Sequence, residues 1–332
     1  MKKKSEAVVV CHSTDPAEIL AKIPHKLPYP FTREMLILCK EENPFTQEYF
    51  YITQREKYAF FILYHSKLNI FTLGRKKLVM NVKTVGFPCS LSNCGYVTND
   101  LSFLLDFVDT IKGAKLILNV TDPIPQNRMV CGETLPTCML TLQGNSAEEY
   151  LRLFRSSYRR RIRLARARCN DVSVRETSAD SEILHQLYLN TYEKSAYQLE
   201  QLGAGFFEHA DAVKLVFERQ NVPVGFVMLH QTGSSLCFMF CGMDYRQPTA
   251  DLYYCMLFQI IDYAFRHGCT TIDMGQTSEK TKMQFGAVLE KRYFYAAHSN
   301  PFLRMFARMV KPLLAYHYHF PAYRVLKDER KL

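Results

Sequence analysis

The chain has 332 residues, 48% of them hydrophobic, a composition that fits a folded protein of two domains better than one. A fold of this mass buries enough surface to need no disulfide or metal staples. The net charge of +10 favours phosphate-bearing partners: nucleic acid, nucleotide-like cofactors or an anionic membrane surface.

The opening MKKKSEAVVVCHSTDP has the basic residues of a secretory signal, but His12 and Asp15 interrupt its short apolar run, so no such signal is expected. No stretch approaches the ~18 uninterrupted apolar residues of a membrane span, so no integral membrane segment is expected. The eleven cysteines form no CxxC pair, and several lie inside apolar runs. They read as reduced core residues of a cytoplasmic protein.

In the N-terminal half, Arg33–Glu42 reads as a short helix. Tyr49–Gln54 and Tyr58–His65 read as strands rich in aromatic and β-branched residues, with further strands around Asn69–Leu73 and Lys77–Val82. Phe87–Asp100 reads as a polar loop, and Leu101–Lys112 as a helix stopped by Gly113. Ala114–Val120 is a predicted strand ended by the turn-rich TDPIPQN, and Leu135–Gln143 another. Asn145 or Ser146 then caps a helix with Glu148 and Glu149 in its first turn.

That helix is expected to run on into LRLFRSSYRRRIRLARARC, Leu151–Cys169. At 100° per residue, Leu151, Phe154, Tyr158, Ile162, Ala165 and Cys169 form a buried face. Arg152, Arg155, Arg159, Arg163 and Arg166 make a second stripe beside it, charge that an anionic partner would neutralise. Beyond it, Asp171–Glu176 reads as a strand, Asp180–Gln201 and Glu208–Gln220 as helices, and Val222–Gln231 with Ser234–Asp244 as a hairpin turning at Gly233. Leu252–His267 is a long apolar helix stopped by Gly268, Thr270–Gly275 a buried strand, Lys280–Glu290 a short helix and Arg292–His298 a last strand. The order predicts an α+β fold around a mostly antiparallel sheet.

The strand, the AEEYL helix start and the RRRIRLARAR helix resemble the entry to the second lobe of FemAB-like proteins of the GNAT superfamily. VPVGFVML followed by CGMDY resembles the central hairpin of that lobe, and IDMGQTSEKTKMQFGA its D-x-G…K-x-x-F-G segment. The resemblance covers about Leu135–His298 and implies tandem GNAT-like lobes, each a mixed, mostly antiparallel sheet flanked by helices. The expected domains are a degenerate first lobe at 1–145, a catalytic lobe at 146–300 and a helical tail at 301–332 packed on the lobes. Two features depart from the pattern. MDYRQPTADLYY has no glycine between Asp244 and Leu252, where GNAT enzymes carry a Gly-rich turn for the CoA pyrophosphate. Thr281 also stands where the family has an aromatic residue.

Acyl transfer to an amine needs a donor or cation for the oxyanion and a route for the amine proton. The resemblance places Lys282 at the reaction centre. Asp273 is the second catalytic candidate, since a carboxylate in a buried strand is either functional or structurally paired. Gly275 and Gln276 follow as candidate cofactor-binding positions, with turn chemistry as the plainer alternative. Arg159 and Arg163, central in the stripe, are the candidate phosphate ligands, the plainer reading being a solvated basic face. His317 and His319 lack a third ligand of suitable spacing, so no metal is expected.

The leading expectation is a small-acyl N-acyltransferase that takes acyl-CoA as donor substrate and an amine acceptor, with no permanently bound cofactor. The alternatives are a Fem-type ligase using aminoacyl-tRNA, and a non-catalytic RNA- or membrane-binding protein on a decayed acyltransferase fold.

Overall fold

Short runs of β-branched and aromatic residues, punctuated by tight turns, set up the same meander twice along the chain. The computed structural model describes residues 7–69, 79–89, 91–177, 180–246, 250–309, 311–317, 320–321 and 323–327. They fall into two units, one of residues 1–135 with 291–317, the other of 136–290 with 318–332. The second unit thus begins at Pro136 rather than 146, and the tail is divided between the two.

In chain order the elements begin β1 (Val9–Ser13), α1 (Pro16–Leu20), α2 (Arg33–Glu42), β2 (Gln47–Gln54), β3 (Lys57–Asn69), β4 (Val79–Val85) and β5 (Tyr96–Thr98). There follow α3 (Leu101–Thr110), β6 (Ala114–Val120), β7 (Val130–Thr141), α4 (Ala147–Arg152), α5 (Ser156–Arg168) and β8 (Val172–Thr177). Next come α6 (Ser181–Lys194), α7 (Ala204–His209), β9 (Val213–Arg219), β10 (Val222–Thr232), β11 (Ser235–Met243) and α8 (Ala250–Arg266). The chain closes with β12 (Thr271–Asp273), α9 (Glu279–Met283), β13 (Val288–His298), α10 (Pro301–Met309) and α11 (Lys311–Leu314).

In the first unit β1 to β4 pair antiparallel in sequence order, and α3 carries the chain over so that β6 pairs parallel with β4. β13 pairs antiparallel with β6. In the second unit β8 to β11 repeat the antiparallel meander, α8 is the crossover, and β12 pairs parallel with β11 and antiparallel with the second half of β7. This is the tandem, mostly antiparallel arrangement that the resemblance implies. The repeat also explains the division of the chain: β7, the strand following β6, pairs with β12 of the second unit, and β13, the strand following β12, pairs with β6 of the first. Each unit has its own core, built around Phe61, Leu104, Val108 and Tyr295 in the first and Phe154, Phe217, Met256 and Phe285 in the second.

Several sequence expectations need correction. The helix from Ser146 does not run through the arginine segment. It breaks after Arg152, where fully buried Phe154 forms a bridge with Leu326 and the Arg155 N–H donates to the Val325 carbonyl at 2.8 Å. A neighbouring strand segment takes over the backbone bonds that helix continuation would have made. Glu208–Gln220 is not a helix but the end of α7 followed by β9. Its Lys-Leu-Val-Phe core is buried between β8 and β10, and Gln220 and Asn221, both at positive φ (52° and 63°), make the two-residue hairpin turn. The helix expected over Asp180–Gln201 ends at Lys194, and that over Lys280–Glu290 ends at Met283, because Gly286 turns at φ +92° into β13. The loop predicted over Phe87–Asp100 contains β5, and the predicted strand at Asn69–Leu73 lies largely outside the described residues. The tail helix α10 belongs to the first unit and has no buried residue. Among the described residues no helix is long and apolar enough to cross a membrane.

Candidate active site

The parallel pair β11 and β12 stays together only over Ser235–Cys237 against Thr271–Asp273. Beyond this, Met274 and Gly275 keep bonding to the other neighbour: the Met274 N–H donates to the Cys138 carbonyl at 2.9 Å, and the Cys138 N–H to the Gly275 carbonyl at 3.1 Å. β11 runs on to Met243 beside β10, without β12. The two strands therefore part after Asp273.

Three features fix the turn at this parting. Asp273 Oδ1 accepts from Thr137 Oγ1 at 2.9 Å and from the Gly275 N–H at 2.8 Å. Gly275 lies at φ +71°, where a side chain is strained, and Thr277 and Ser278 also have positive φ. Ser278 then precedes the single turn of α9, which swings Lys282 back towards the start of the loop.

Lys282 is buried, at 3% exposure, and its Nζ donates to the carbonyls of Gln276 (2.8 Å) and Gly275 (3.3 Å). The Phe238 ring lies 5.8 Å from the nitrogen. Burial lowers the lysine pKa from its ordinary value. Four neighbours oppose the shift: Cys138, Cys241, Glu279 and Asp273. Burial pushes the thiols of Cys138 and Cys241 up to about 12 and 11, so both are neutral at pH 7. The carboxylates of Glu279 and Asp273 are thus the groups that favour the ammonium.

A lysine whose pKa falls on folding carries a proton in the unfolded chain over a pH range where the folded chain has lost it. Stability therefore rises with pH through that range, up to the ordinary lysine value. The stability difference between the native chain and Lys282→Met is expected to shift in favour of the native chain between pH 7 and pH 10. Unfolding midpoints of both at the two pH values measure it, and a flat or opposite trend would refute the burial effect.

The structure thus brings Asp273, Gly275, Gln276 and Lys282 together, with Gln276 contributing its main-chain carbonyl. Thr137, which bonds Asp273, and Cys138, Cys241 and Glu279, which neighbour the lysine, were missed. Tyr253 was missed as well: it has a hydrogen bond with Ser278, and burial raises its pKa well above the usual phenol range. The shallow hollow lined by Leu142, Asn145, Phe265 and Thr270 lies at the opposite end of β12 and contains none of these groups.

The arginines of α5, those of the stripe and those beside it, have different partners. Arg159 donates to the carbonyls of Arg152 (3.3 Å) and Phe154 (3.4 Å), closing the end of α4. Arg161 and Arg168 bind Asp251 at 2.6 and 3.3 Å, and Arg161 stacks 4.1 Å over Tyr254. Arg166 pairs with Glu148 and covers the Phe258 ring. Arg163 is exposed and has no partner among the described residues. The described residues contain no group of three or more His, Cys, Asp or Glu side chains suited to a metal, and His319 lies outside them.

Residues 152–283 match the family model described as an acetyltransferase (GNAT) domain. This segment has the GNAT fold. It holds every candidate site residue, from Arg159 to Lys282, and the parting of β11 and β12 lies within it. No curated protein matches the chain. Among solved structures, FemX is similar at 14% identity, over 90% of this chain and 99% of that one, with a TM-score of 0.49. L-PGS from Bacillus licheniformis is similar at 12% identity, over 77% and 86%, with a TM-score of 0.47. A tandem GNAT protein from the clavulanic acid biosynthesis pathway is similar at 8% identity, over 89% and 99%, with a TM-score of 0.48.

Proposed function

We propose that the GNAT domain is an N-acyltransferase that moves acetyl or another small acyl group from acyl-CoA to an amine, with a sugar or cell-envelope precursor as the acceptor class. The observation that carries this reading is the buried Lys282 amine nitrogen beside the parting of β11 and β12. An ammonium has three N–H donors, and two are engaged by the carbonyls of Gly275 and Gln276. The third serves the oxyanion that forms when the amine attacks the thioester carbonyl. As the tetrahedral adduct collapses, the C–S bond breaks and CoA leaves as the thiolate. The proton lost by the attacking amine balances that charge.

Asp273 works through the turn rather than on the substrate. Its carboxylate fixes the Gly275 N–H, and the turn in turn presents the carbonyls that hold Lys282. Arg163, whose guanidinium is uncommitted among the described residues, is the better of the two arginines for a phosphate; Arg159 is occupied at the end of α4. Arg163→Ala is expected to raise the KM for acyl-CoA about 5- to 10-fold with little change in kcat, the mark of a contact present equally in ground and transition states. An unchanged KM removes Arg163 from the site.

The aminoacyl-tRNA reading is favoured by one observation, the absence of glycine between Asp244 and Leu252. Thermal stabilisation and transfer assays with acetyl-CoA, longer acyl-CoAs and aminoacyl-tRNA separate the donors. Stabilisation and turnover with a CoA thioester support the acyl-CoA reading. A response to aminoacyl-tRNA alone replaces it with the ligase reading, and no response to either leaves the non-catalytic alternative.

A further inference from the structure

We propose that α10 docks the first unit on an anionic phospholipid bilayer. Phe302, Met305, Phe306 and Met309 recur at three- and four-residue steps, which places them on one face of the helix. That face is open: the four side chains are 78, 58, 49 and 73% exposed, and neighbouring Leu303 is 44% exposed. An amphipathic helix of a globular protein ordinarily buries this stripe. Here the opposite side of the helix is the one bound to the protein. Arg304 donates to Asp109 Oδ1 at 3.1 Å and to the His298 carbonyl at 3.2 Å, and Arg308 donates to the Asn127 carbonyl. The helix start is fixed as well, since Asn300 Oδ1 accepts from the Phe302 N–H at 2.9 Å. With its polar side held, α10 presents its apolar side outward.

Charge selects the occupant. The Asp109 carboxylate, 7% exposed, faces three cations: Arg304 at 3.1 Å, Lys115 at 3.5 Å and Arg128 at 3.7 Å. Arg308 and the exposed Lys311 add to that excess along the helix, while nearby Asp106 is bonded to Gln126. A surface of large apolar groups with a cationic border fits the boundary between acyl chains and anionic headgroups. A second copy docked face to face would bring two such cationic borders together without counter-charges, which disfavours a dimer.

The chain has no tryptophan, so Phe302→Trp installs a single emission reporter on the face without touching the core. The full chain carrying it is mixed with vesicles of phosphatidylcholine alone and with vesicles one-third phosphatidylglycerol. The emission is expected to shift to the blue, and partitioning to be at least ~10-fold stronger on the anionic vesicles, weakening with salt. Met305→Asp and Met309→Asp in the same background should abolish the shift and leave the thermal midpoint unchanged. Absence of a shift on anionic vesicles at low salt overturns the proposal. So does a shift that follows protein concentration in the absence of lipid, which would identify a second copy as the occupant.

Discussion

Replacing Lys282 by methionine is expected to lower kcat for acyl transfer by about 100- to 1,000-fold, the loss typical when one oxyanion donor is removed. The size follows from where the nitrogen is. At 3% exposure the ammonium has little water to screen it, and two carbonyls hold it against drift. The loss should fall on kcat rather than KM, because the oxyanion exists only in the transition state. Methionine has nearly the length and shape of the lysine stem, so packing against Phe238 is retained. Stability is expected to change little, since the relief of burying a charge offsets the two lost hydrogen bonds. The Gly275 carbonyl also keeps its bond from the Cys138 N–H. Steady-state kinetics and a melting curve on the same preparation decide the matter. Undiminished kcat would remove Lys282 from the chemistry. If Lys282→Met proves unstable, Lys282→Gln retains a donor and tests the need for charge: a similarly large fall in kcat with an unchanged midpoint supports the role.

Local signals in the chain made part of this architecture readable in advance. The helix over Arg33–Glu42, the strand over Ala114–Val120, the hairpin turning at Gly233 and the helix stopped by Gly268 have the expected places in the structure, because each is set by a cap, a glycine or a continuous apolar period. The failures share a cause. β9 reads as a helix because three consecutive apolar residues fit either period; its pairing on both edges with β8 and β10 is what makes it a strand. The break after Arg152 depends on Leu326, far along the chain. The same holds for the site. Lys282 and Gly275 stand in one short motif and were accessible to sequence reasoning. The hydroxyl that holds Asp273 belongs to Thr137, 136 residues earlier, and Cys138 and Cys241 meet the lysine only once three strands have assembled. The arginines looked equivalent along a helical period. Their partners, Glu148 for Arg166 and the end of α4 for Arg159, make them unequal.

A large loss of stability is expected from Gly242→Ala. Gly242 pairs with Phe226 in the β10–β11 hairpin, and α6 crosses directly over it. A Cβ there would lie 2.4 Å from the Leu187 carbonyl carbon, 2.6 Å from its oxygen and 2.5 Å from the Phe226 ring. The ring has some freedom to turn away, but the helix backbone moves only as a body, and α6 must lift from β11. Such overpacking costs about 3 kcal/mol, which lowers the midpoint by about 6–12 °C for a unit of this size. Gly233→Ala is the control. It sits at the turn of the same hairpin, at φ +57° with nothing within 4 Å of the added carbon, so only the left-handed backbone is penalised, by about 1 kcal/mol. Differential scanning calorimetry of both variants separates steric contact from backbone strain. Equal midpoints would mean that α6 accommodates the methyl group, and that β11 is less firmly held beside Lys282 than the Gly242 contact implies. If Gly242→Ala folds at low temperature, its kcat should fall as well, because α6 braces the strand that forms one side of the parting next to the lysine.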